Sequence, residues 1–414
     1  SGCARRTDAG DVKGKVTVTW MVAVDFTRDL IQELADKFNS ENPRVYLKIA
    51  WVPGPNYQAK LKTLIAAGEA PDLFYCGDVW VAYLMPFLYD ISGFVQRDAS
   101  ELELDDFYPQ LIEACKHNGR FYFLPRWFNV SLLYYNRGIF REAGVGMPTA
   151  DWKWDDYLRA GEKLTKRGSS GKVGIWGSTI SPFWWGEWLT LVRQAGGDMF
   201  NPEITRCTLG TPEAIQGMQF YYDKIYKYGI APPPGLEPDK GFASNKMAME
   251  FGGHTGNWIT YNAIPGIDWD IEVLPAGPRT RCGGELAIDA LGVSLTTRYP
   301  EAAWEAVKFM ASKHSIRRHA EKGYLSVRKS IAKEILYERA KTQNPHNIKA
   351  AYHALDFAVP IPRSPDFIEL ALEIIQPDID DMITRGLNPS AVCRQVTKAA
   401  DAYLNVVALQ KRAP

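Results

Sequence analysis

Residues 118–144 read Asn-Gly-Arg-Phe-Tyr-Phe-Leu-Pro-Arg-Trp-Phe-Asn-Val-Ser-Leu-Leu-Tyr-Tyr-Asn-Arg-Gly-Ile-Phe-Arg-Glu-Ala-Gly. The stretch opens with a polar Asn-Gly turn and continues as an aromatic and β-branched run over residues 121–135. Proline lacks the N–H that a strand ladder needs, so Pro125 disfavours one continuous central strand. The sequence therefore predicts two strands that meet within residues 125–129.

A turn and a helix follow this extended run. The turn is predicted at Asn136, and the helix ends at Gly144, a residue type that commonly stops helices. The extended run is thus preceded by a turn and followed by a turn and a helix. We predict that the chain leaves one lobe and enters another within residues 118–144.

Other motifs occur in a fixed order along the chain. They are Leu-Lys-Thr-Leu-Ile-Ala-Ala-Gly-Glu-Ala-Pro-Asp at residues 61–72, Lys-Met-Ala-Met at 246–249 and Tyr-Pro-Glu-Ala-Ala-Trp at 299–304. With residues 118–144, this ordered set resembles the extracellular solute-binding proteins of ABC importers, specifically the sugar-binding (maltose-binding-protein-like) family. The resemblance covers nearly the whole chain. It implies an α/β, two-lobe periplasmic-binding-protein-like fold, in which a multi-strand hinge joins two lobes.

Length and composition agree with that reading. The chain has 414 residues, long enough for two lobes. Its 48 basic and 48 acidic residues balance, which argues against nucleic acid or an anionic membrane as a partner. Thirteen Trp and 20 Tyr supply rings that stack on sugar faces as well as fill cores, and we assign most of them to packing.

The six cysteines stand at positions 3, 76, 115, 207, 282 and 393. None forms a Cys-x-x-Cys pair, so zinc ribbons and thioredoxin-like redox sites are unsupported. No metal and no cofactor are predicted. Ser1-Gly2-Cys3 resembles the end of a bacterial lipobox, which implies lipidation of Cys3, although an ordinary thiol is the alternative. Cys207 with Cys282 is one pairing that the sequence leaves open. The expected location is the extracytoplasmic side of a bacterial cell envelope.

The order of strands and helices predicts the lobes. Strands at 15–20, 45–51 and 72–76 alternate with helices at 27–39 and 57–67, which indicates a mostly parallel sheet flanked by helices. Residues 1–14 are predicted to be the anchor cysteine and a flexible tether. The predicted first lobe is 15–127 plus 288–326, and the predicted second lobe is 128–287 plus 327–414.

Ligands of open α/β sheets bind beyond the carboxyl ends of the strands. This rule selects the loops at 21–28, 52–57 and 77–83. The candidate binding residues in or beside these loops are Asp25, Trp51, Asp78 and Trp80. The resemblance adds that an acidic residue at the position of Asp78 bonds sugar hydroxyls. A helix N-cap for that Asp, and rim packing for the two Trp, remain open.

Further candidates come from the central stretch and the second lobe. Arg126 and Asn129 lie in the stretch quoted first, and residues 176–188 are the densest aromatic segment. Trp184 and Trp188 would share a helical face in the core, so Trp185 and Glu187 would point elsewhere, toward ligand. At least one of Trp184 and Trp185 is expected to stack on the ligand.

The last candidates follow a glycine-rich turn and a proline-rich loop. His254 and Trp258 come after Gly252-Gly253, where the backbone can approach a ligand closely. In the resembled family a Trp at this helix start often stacks on sugar. Arg363 lies between two prolines in a segment that often faces ligand in that family.

The expected function is capture of a carbohydrate, most simply an oligosaccharide, in an interlobe cleft by hinge closure, with delivery to ABC transporter permease subunits by a monomeric protein. No enzymatic activity is expected. One alternative keeps the fold but binds an anionic ligand, such as a uronate oligosaccharide or a glycerol phosphodiester, through Arg126, His254 and Arg363. A glycoside hydrolase and a protein that only senses or adheres are the remaining alternatives.

Overall fold

The computed structural model describes residues 14–24, 27–77, 80–181, 184–281, 284–362, 364 and 366–410. The strands in these residues are β1 (Val16–Val24), β2 (Val45–Pro53), β3 (Leu73–Tyr75), β4 (Lys116–His117), β5 (Arg120–Phe121), β6 (Phe123–Asn136), β7 (Lys166–Arg167), β8 (Val173–Ile175), β9 (Met249–His254), β10 (Trp269–Glu272), β11 (Glu285–Val293), β12 (Leu325–Ser326) and β13 (Val359–Pro360).

The α-helices are α1 (Arg28–Glu41), α2 (Gly54–Ala66), α3 (Trp80–Leu84), α4 (Ser92–Arg97), α5 (Ala99–Leu102), α6 (Pro109–Glu113), α7 (Arg137–Ala143), α8 (Trp154–Leu164), α9 (Trp185–Gln194), α10 (Pro212–Tyr226), α11 (Asn257–Asn262), α12 (Pro300–Met310), α13 (Lys313–Lys322), α14 (Lys329–Ile331), α15 (Tyr337–Ala340), α16 (Lys349–His353), α17 (Gln376–Arg385) and α18 (Pro389–Gln410). Among these helices, none has both the length and the apolar character needed to cross a membrane.

The chain divides into two compact units. The first unit holds the residues up to Phe128 together with Ile288–Leu336, and the second holds Asn129–Ala287 and the residues from Tyr337 onward. The chain therefore changes unit within β6, within β11 and after α14. The sequence placed these divisions after residues 127, 287 and 326. The third division falls later because residues after 326 also bond the first unit: Arg328 Nη2 donates to the Leu102 carbonyl oxygen at 2.9 Å, and Ser330 N donates to Asp106 Oδ1 at 2.9 Å.

The strand β6 is continuous over 14 residues, so the predicted break near Pro125 is wrong. Pro125 is the third residue of the strand, near its beginning, where proline is tolerated. The strand changes partners along its length, pairing with β12 and then with β9 and β10. The predicted turn and helix are confirmed: Asn136 Oδ1 accepts a bond from Ile139 N at 3.0 Å, and Gly144 ends α7 at a φ of 65°.

The first unit contains the predicted β-α-β-α-β order. Strands β2 and β3 pair in parallel with β1, and β11 adds an antiparallel neighbour to β3. Helix α1 buries the apolar face that its periodicity predicted, formed by Leu30, Ile31, Leu34, Ala35 and Phe38. Two predicted loops are shorter than expected, because β1 continues to Val24 and α2 begins at Gly54, directly after β2.

The second unit has a mixed sheet. In the described pairs, β9 and β10 flank β6 in antiparallel register, while β11 and β13 are parallel. The predicted predominance of parallel pairs therefore does not hold in this unit. Parallel pairs arise from β-α-β repeats, whereas β6 enters from the other unit and is not part of such a repeat.

Two helices of the second unit pack unusually closely. Helix α9 is buried along its whole length, and α10 crosses it at Gly217. An ideal Cβ on Gly217 would lie only 2.4 Å from the Cα of Val192. The absence of a side chain at Gly217 therefore sets the distance between α9 and α10.

We expect Gly217→Ala to lower the free energy of unfolding by about 1–3 kcal/mol, because the added methyl group overpacks a rigid backbone contact. Chemical denaturation followed by tryptophan fluorescence measures this change. Gly93→Ala in α4 is the control, since nothing lies within 4 Å of its ideal Cβ. That control should be neutral or stabilising by up to about 1 kcal/mol. Equal effects of the two substitutions would contradict the close packing.

Candidate functional site

Several predicted site residues fall outside the described part of the chain. These are Asp25, Asp78 and Arg363, together with Cys3 and Cys282. For Trp80 the structure describes the backbone, which begins α3. Cys207 carries a free, buried thiol. Roles for these residues stay predictions.

Two predicted contacts lie in the first unit. Trp51 is part of β2, where its Nε1 donates to Gln32 Oε1 at 3.2 Å and the guanidinium of Arg28 lies 5.6 Å from its ring centroid. Arg126 is 2% exposed, donates from Nε to Asp289 Oδ1 at 2.6 Å and lies 4.9 Å from the Trp20 ring centroid. Arg126 is thus a buried member of an ion pair in this structure.

An aromatic stack precedes and begins α9. Trp184 is the N-cap of that helix, with an extended backbone (φ −148°, ψ 134°), and its ring stacks on Trp185 with centroids 3.9 Å apart. Trp184 therefore does not share a helical face with Trp188, and that prediction is wrong because the helix begins one residue later than assumed. Trp185 is 1% exposed and meets Phe367 edge-on at 5.3 Å, whereas Trp184 is partly exposed.

A polar turn lies beside Trp184. The His254 ring is perpendicular to the Trp184 ring at 6.4 Å, and His254 is partly exposed at the end of β9. The next residue, Thr255, donates from its hydroxyl to Asn129 Oδ1. We call Asn129, Trp184 and His254 the Trp184 surface. It combines an accessible ring with amide and imidazole groups, a pairing suited to a ligand with both apolar faces and hydroxyls.

Hydrogen bonds from the core hold the turn that carries His254. Tyr134 donates from its hydroxyl to the His254 carbonyl oxygen at 2.8 Å, and Trp258 Nε1 donates to the Tyr134 hydroxyl at 2.5 Å. Trp258 is buried, so in this structure it stabilises the turn through Tyr134. Gly253 packs closely here, because a Cβ would lie 2.8 Å from the Tyr134 ring.

Glu187 lies on α9, two residues after Trp185, and is 1% exposed. Its Oε1 accepts from Lys224 Nζ and its Oε2 accepts from Ser181 N at 2.7 Å. Burial is the largest single effect and would lower the pKa of Lys224, but Glu187 and Tyr157 together outweigh it, and the pKa is raised above its ordinary value. Lys224 therefore stays charged, and both carboxylate oxygens of Glu187 are occupied.

A second carboxylate, which is half-buried, lies on β9. Glu250 accepts from the Tyr261 hydroxyl at 2.5 Å and from Asn257 Nδ2 at 3.3 Å. Burial raises the pKa of Glu250 to about 7. The folded protein therefore holds this proton to a higher pH than the unfolded chain does.

Because the pKa of Glu250 rises from 4.5 to about 7 on folding, its stabilising contribution is complete below about pH 4.5 and is lost as the pH rises through 7. Over this pH range the free energy of unfolding should fall by about 1–2 kcal/mol less in Glu250→Gln than in the wild type. Denaturation curves across that pH range measure the slope. Glu162→Gln, at an exposed position of α8, should leave the slope as it is in the wild type. If the free energy of unfolding of Glu250→Gln varied with pH as it does in the wild type, the raised pKa of Glu250 would be contradicted.

The structure adds Lys224, Thr255, Tyr134 and Glu250 to the residues around this surface, and none of them was predicted. For Lys224 the sequence did contain a signal. Lys224 follows Phe220 and Tyr221 by four and three residues, so helical spacing puts this cation on a buried face. Such a lysine needs an anionic partner. The described residues contain no group of three or more His, Cys, Asp or Glu that could hold a metal ion.

Comparisons with known proteins identify relatives that bind oligosaccharides. An arabinooligosaccharide-binding protein of Halalkalibacterium halodurans is 30% identical over 55% of this chain and 50% of that protein, so the match spans half of that relative. A maltotriose-binding protein of Pyrococcus abyssi is 24% identical over 85% of this chain and 74% of that protein.

A solved structure shares the fold. The ABC substrate-binding protein of Listeria monocytogenes in complex with cycloalternan is 22% identical, covers 94% of this chain and 99% of its own, and gives a TM-score of 0.80. This likeness confirms the predicted α/β, two-lobe periplasmic-binding-protein-like fold. The family of bacterial extracellular solute-binding proteins matches residues 27–315. That match covers more than half of the sequence, and this chain therefore belongs to the bacterial extracellular solute-binding proteins.

Proposed function

We propose that this protein is the carbohydrate-binding component of an ABC importer, which captures an oligosaccharide and delivers it unchanged to a membrane permease. The observation that carries this proposal is the Trp184 surface. Trp185 covers one face of the Trp184 ring, which fixes its orientation while leaving it partly exposed. A fixed ring can stack on the apolar face of a sugar at a low cost in conformational entropy.

Polar groups beside the Trp184 ring can form hydrogen bonds with the hydroxyl groups of a sugar. Asn129 and the imidazole of His254 are both partly exposed and can exchange hydrogen bonds with hydroxyl groups. Relatives that bind arabinooligosaccharides and maltotriose support a ligand of more than one sugar unit. Lipidation of Cys3 would hold the protein at the outer side of the membrane, near its permease.

The buried ion pairs weigh against two other functions. Arg126 is paired with Asp289, so a cation that favoured an anionic ligand is already neutralised. Glu187 has both oxygens occupied by Lys224 and Ser181, which leaves it unsuited to act as a glycosidase carboxylate. Binding without chemistry agrees with the relatives, which are named as binding proteins.

A titration followed by tryptophan fluorescence tests the proposal. The panel contains arabinooligosaccharides, maltooligosaccharides, uronate oligosaccharides and a glycerol phosphodiester, and each ligand is recovered and weighed by mass spectrometry. Saturable binding of a neutral oligosaccharide with unchanged mass is the expected result. Binding of the acidic ligands alone would replace the proposal with the anionic alternative, and a cleaved oligosaccharide would replace it with hydrolysis.

A further inference from the structure

Lys224 is connected to both ends of the segment that leads to Trp184. At one end, its ammonium bonds Glu187, whose other oxygen accepts from Ser181 N at 2.7 Å. At the other end, it lies 5.7 Å from the ring centroid of Tyr157, whose hydroxyl is hydrogen-bonded to Ser178 Oγ. Residues 178–181 therefore run between two anchors that converge on one buried cation.

Further bonds keep this segment in place. Ser178 N donates to the Ile230 carbonyl at 2.9 Å, and Thr179 N donates to the Met249 carbonyl at 2.9 Å. The Tyr221 hydroxyl donates to the Ser181 carbonyl at 3.0 Å. Because Thr179 bonds Met249, the first residue of β9, the segment is also tied to the strand that ends at His254.

The Lys224–Glu187 pair lies in a buried and largely aromatic environment. Lys224 is 0% exposed, and its ammonium lies 5.7 Å from the Tyr157 ring centroid and 5.8 Å from that of Phe251. Burying such a pair is expensive, and well-packed apolar residues of similar volume are often as stable. A buried pair can instead specify one conformation. Here the conformation specified is that of residues 178–181.

We propose that Lys224 and Glu187 are positioning residues that fix the orientation of Trp184 for ligand stacking without contacting the ligand themselves. This inference rests on the proposed function, since it assigns these residues to the same carbohydrate surface. Glu187 then acts through its bonds to Ser181 and Lys224. Lys224, which lies on α10, is then a determinant of ligand affinity.

The test compares Lys224→Met, Glu187→Gln and the double variant with wild type. Lys224→Met leaves the buried carboxylate without its cation, and we expect oligosaccharide affinity to fall at least about tenfold. Glu187→Gln offers one acceptor oxygen to two donors, so affinity should fall about three- to tenfold in a folded protein. In the double variant, the Gln oxygen is free to accept from Ser181 N, and affinity should recover to within about threefold of wild type.

Near-ultraviolet circular dichroism of the stacked Trp184–Trp185 pair supplies a readout that lost stability alone would not change well below the melting temperature. We expect the band to change in each single variant and to return in the double variant. Lys227→Met is the matched control, because Lys227 is an exposed lysine at the end of the same helix. Its affinity and spectrum should equal those of wild type.

Wild-type affinity and an unchanged Trp band in Glu187→Gln would overturn the inference, even where Lys224→Met fails to fold. A wild-type protein that binds no carbohydrate would instead overturn the proposed function. The spectra of the ligand-free variants still report whether Lys224 and Glu187 orient Trp184. The two failures are therefore distinguishable.

Discussion

Asp289→Ala should lower the free energy of unfolding by about 3–5 kcal/mol, because it leaves a buried arginine without its anionic partner. Arg126 is 2% exposed and donates from Nε to Asp289 Oδ1 at 2.6 Å. Its guanidinium also lies 4.9 Å from the ring centroid of Trp20, which belongs to the core of the first unit. Chemical denaturation followed by tryptophan fluorescence measures the loss.

Glu301→Ala is the control for this substitution. Glu301 also faces an arginine in the first unit, but the Arg97–Glu301 pair, at 2.9 Å, is exposed on both sides. Exposed pairs contribute about 0–1 kcal/mol, so the control should change stability little. Similar losses in Asp289→Ala and Glu301→Ala would show that burial of the Arg126 pair does not govern its contribution.

A double variant separates stability from ligand contact at Arg126. Replacing both partners with apolar residues, as in Arg126→Met with Asp289→Leu, removes the buried charges together and should recover most of the lost stability. Oligosaccharide titration of this folded variant then shows whether Arg126 also contributes to binding. A large loss of affinity without a loss of stability would assign Arg126 to the ligand, as the sequence predicted.

The first unit was the most predictable part of the fold, because its signals are local. The apolar face of α1 repeats with helical spacing, and β1, β2 and β3 are separated by helices as in parallel sheets. Residues 123–136 were less predictable. Proline was taken to end a strand, but its position near the beginning of β6 makes it tolerable, and the partners of β6 come from distant segments.

The candidate site was predictable in its residue types but not in its geometry. The density of aromatic residues drew attention to Trp184 and Trp185, yet a shift of one residue in the helix start decides which ring is partly exposed. Helix boundaries are the least certain part of a sequence-based assignment. The roles of Glu187 and Lys224 depend on a contact between α9 and α10, which sequence periodicity does not specify.

Trp184→Ala should weaken oligosaccharide binding by about 30- to 700-fold, which corresponds to about 2–4 kcal/mol. The reason is that Trp184 is the partly exposed member of a stacked pair, so its ring offers a large apolar face whose orientation Trp185 already fixes. Trp184→Phe keeps a smaller ring in place and should lose no more than about tenfold. Isothermal titration calorimetry with the tightest oligosaccharide of the panel measures both constants.

Trp152→Ala is the matched control for Trp184→Ala. Trp152 is also partly buried in the second unit, but its ring centroid lies 6.4 Å from Phe140, and it is not part of the Trp184 surface. This variant should bind within about threefold of wild type, even where its melting temperature falls, because lost packing changes the stability of a folded protein more than its affinity. Equal binding by Trp184→Ala and wild type would exclude stacking on Trp184 as the source of affinity. It would also move the search for the sugar platform to the remaining predicted rings, of which Trp51 and Trp80 are the next to substitute.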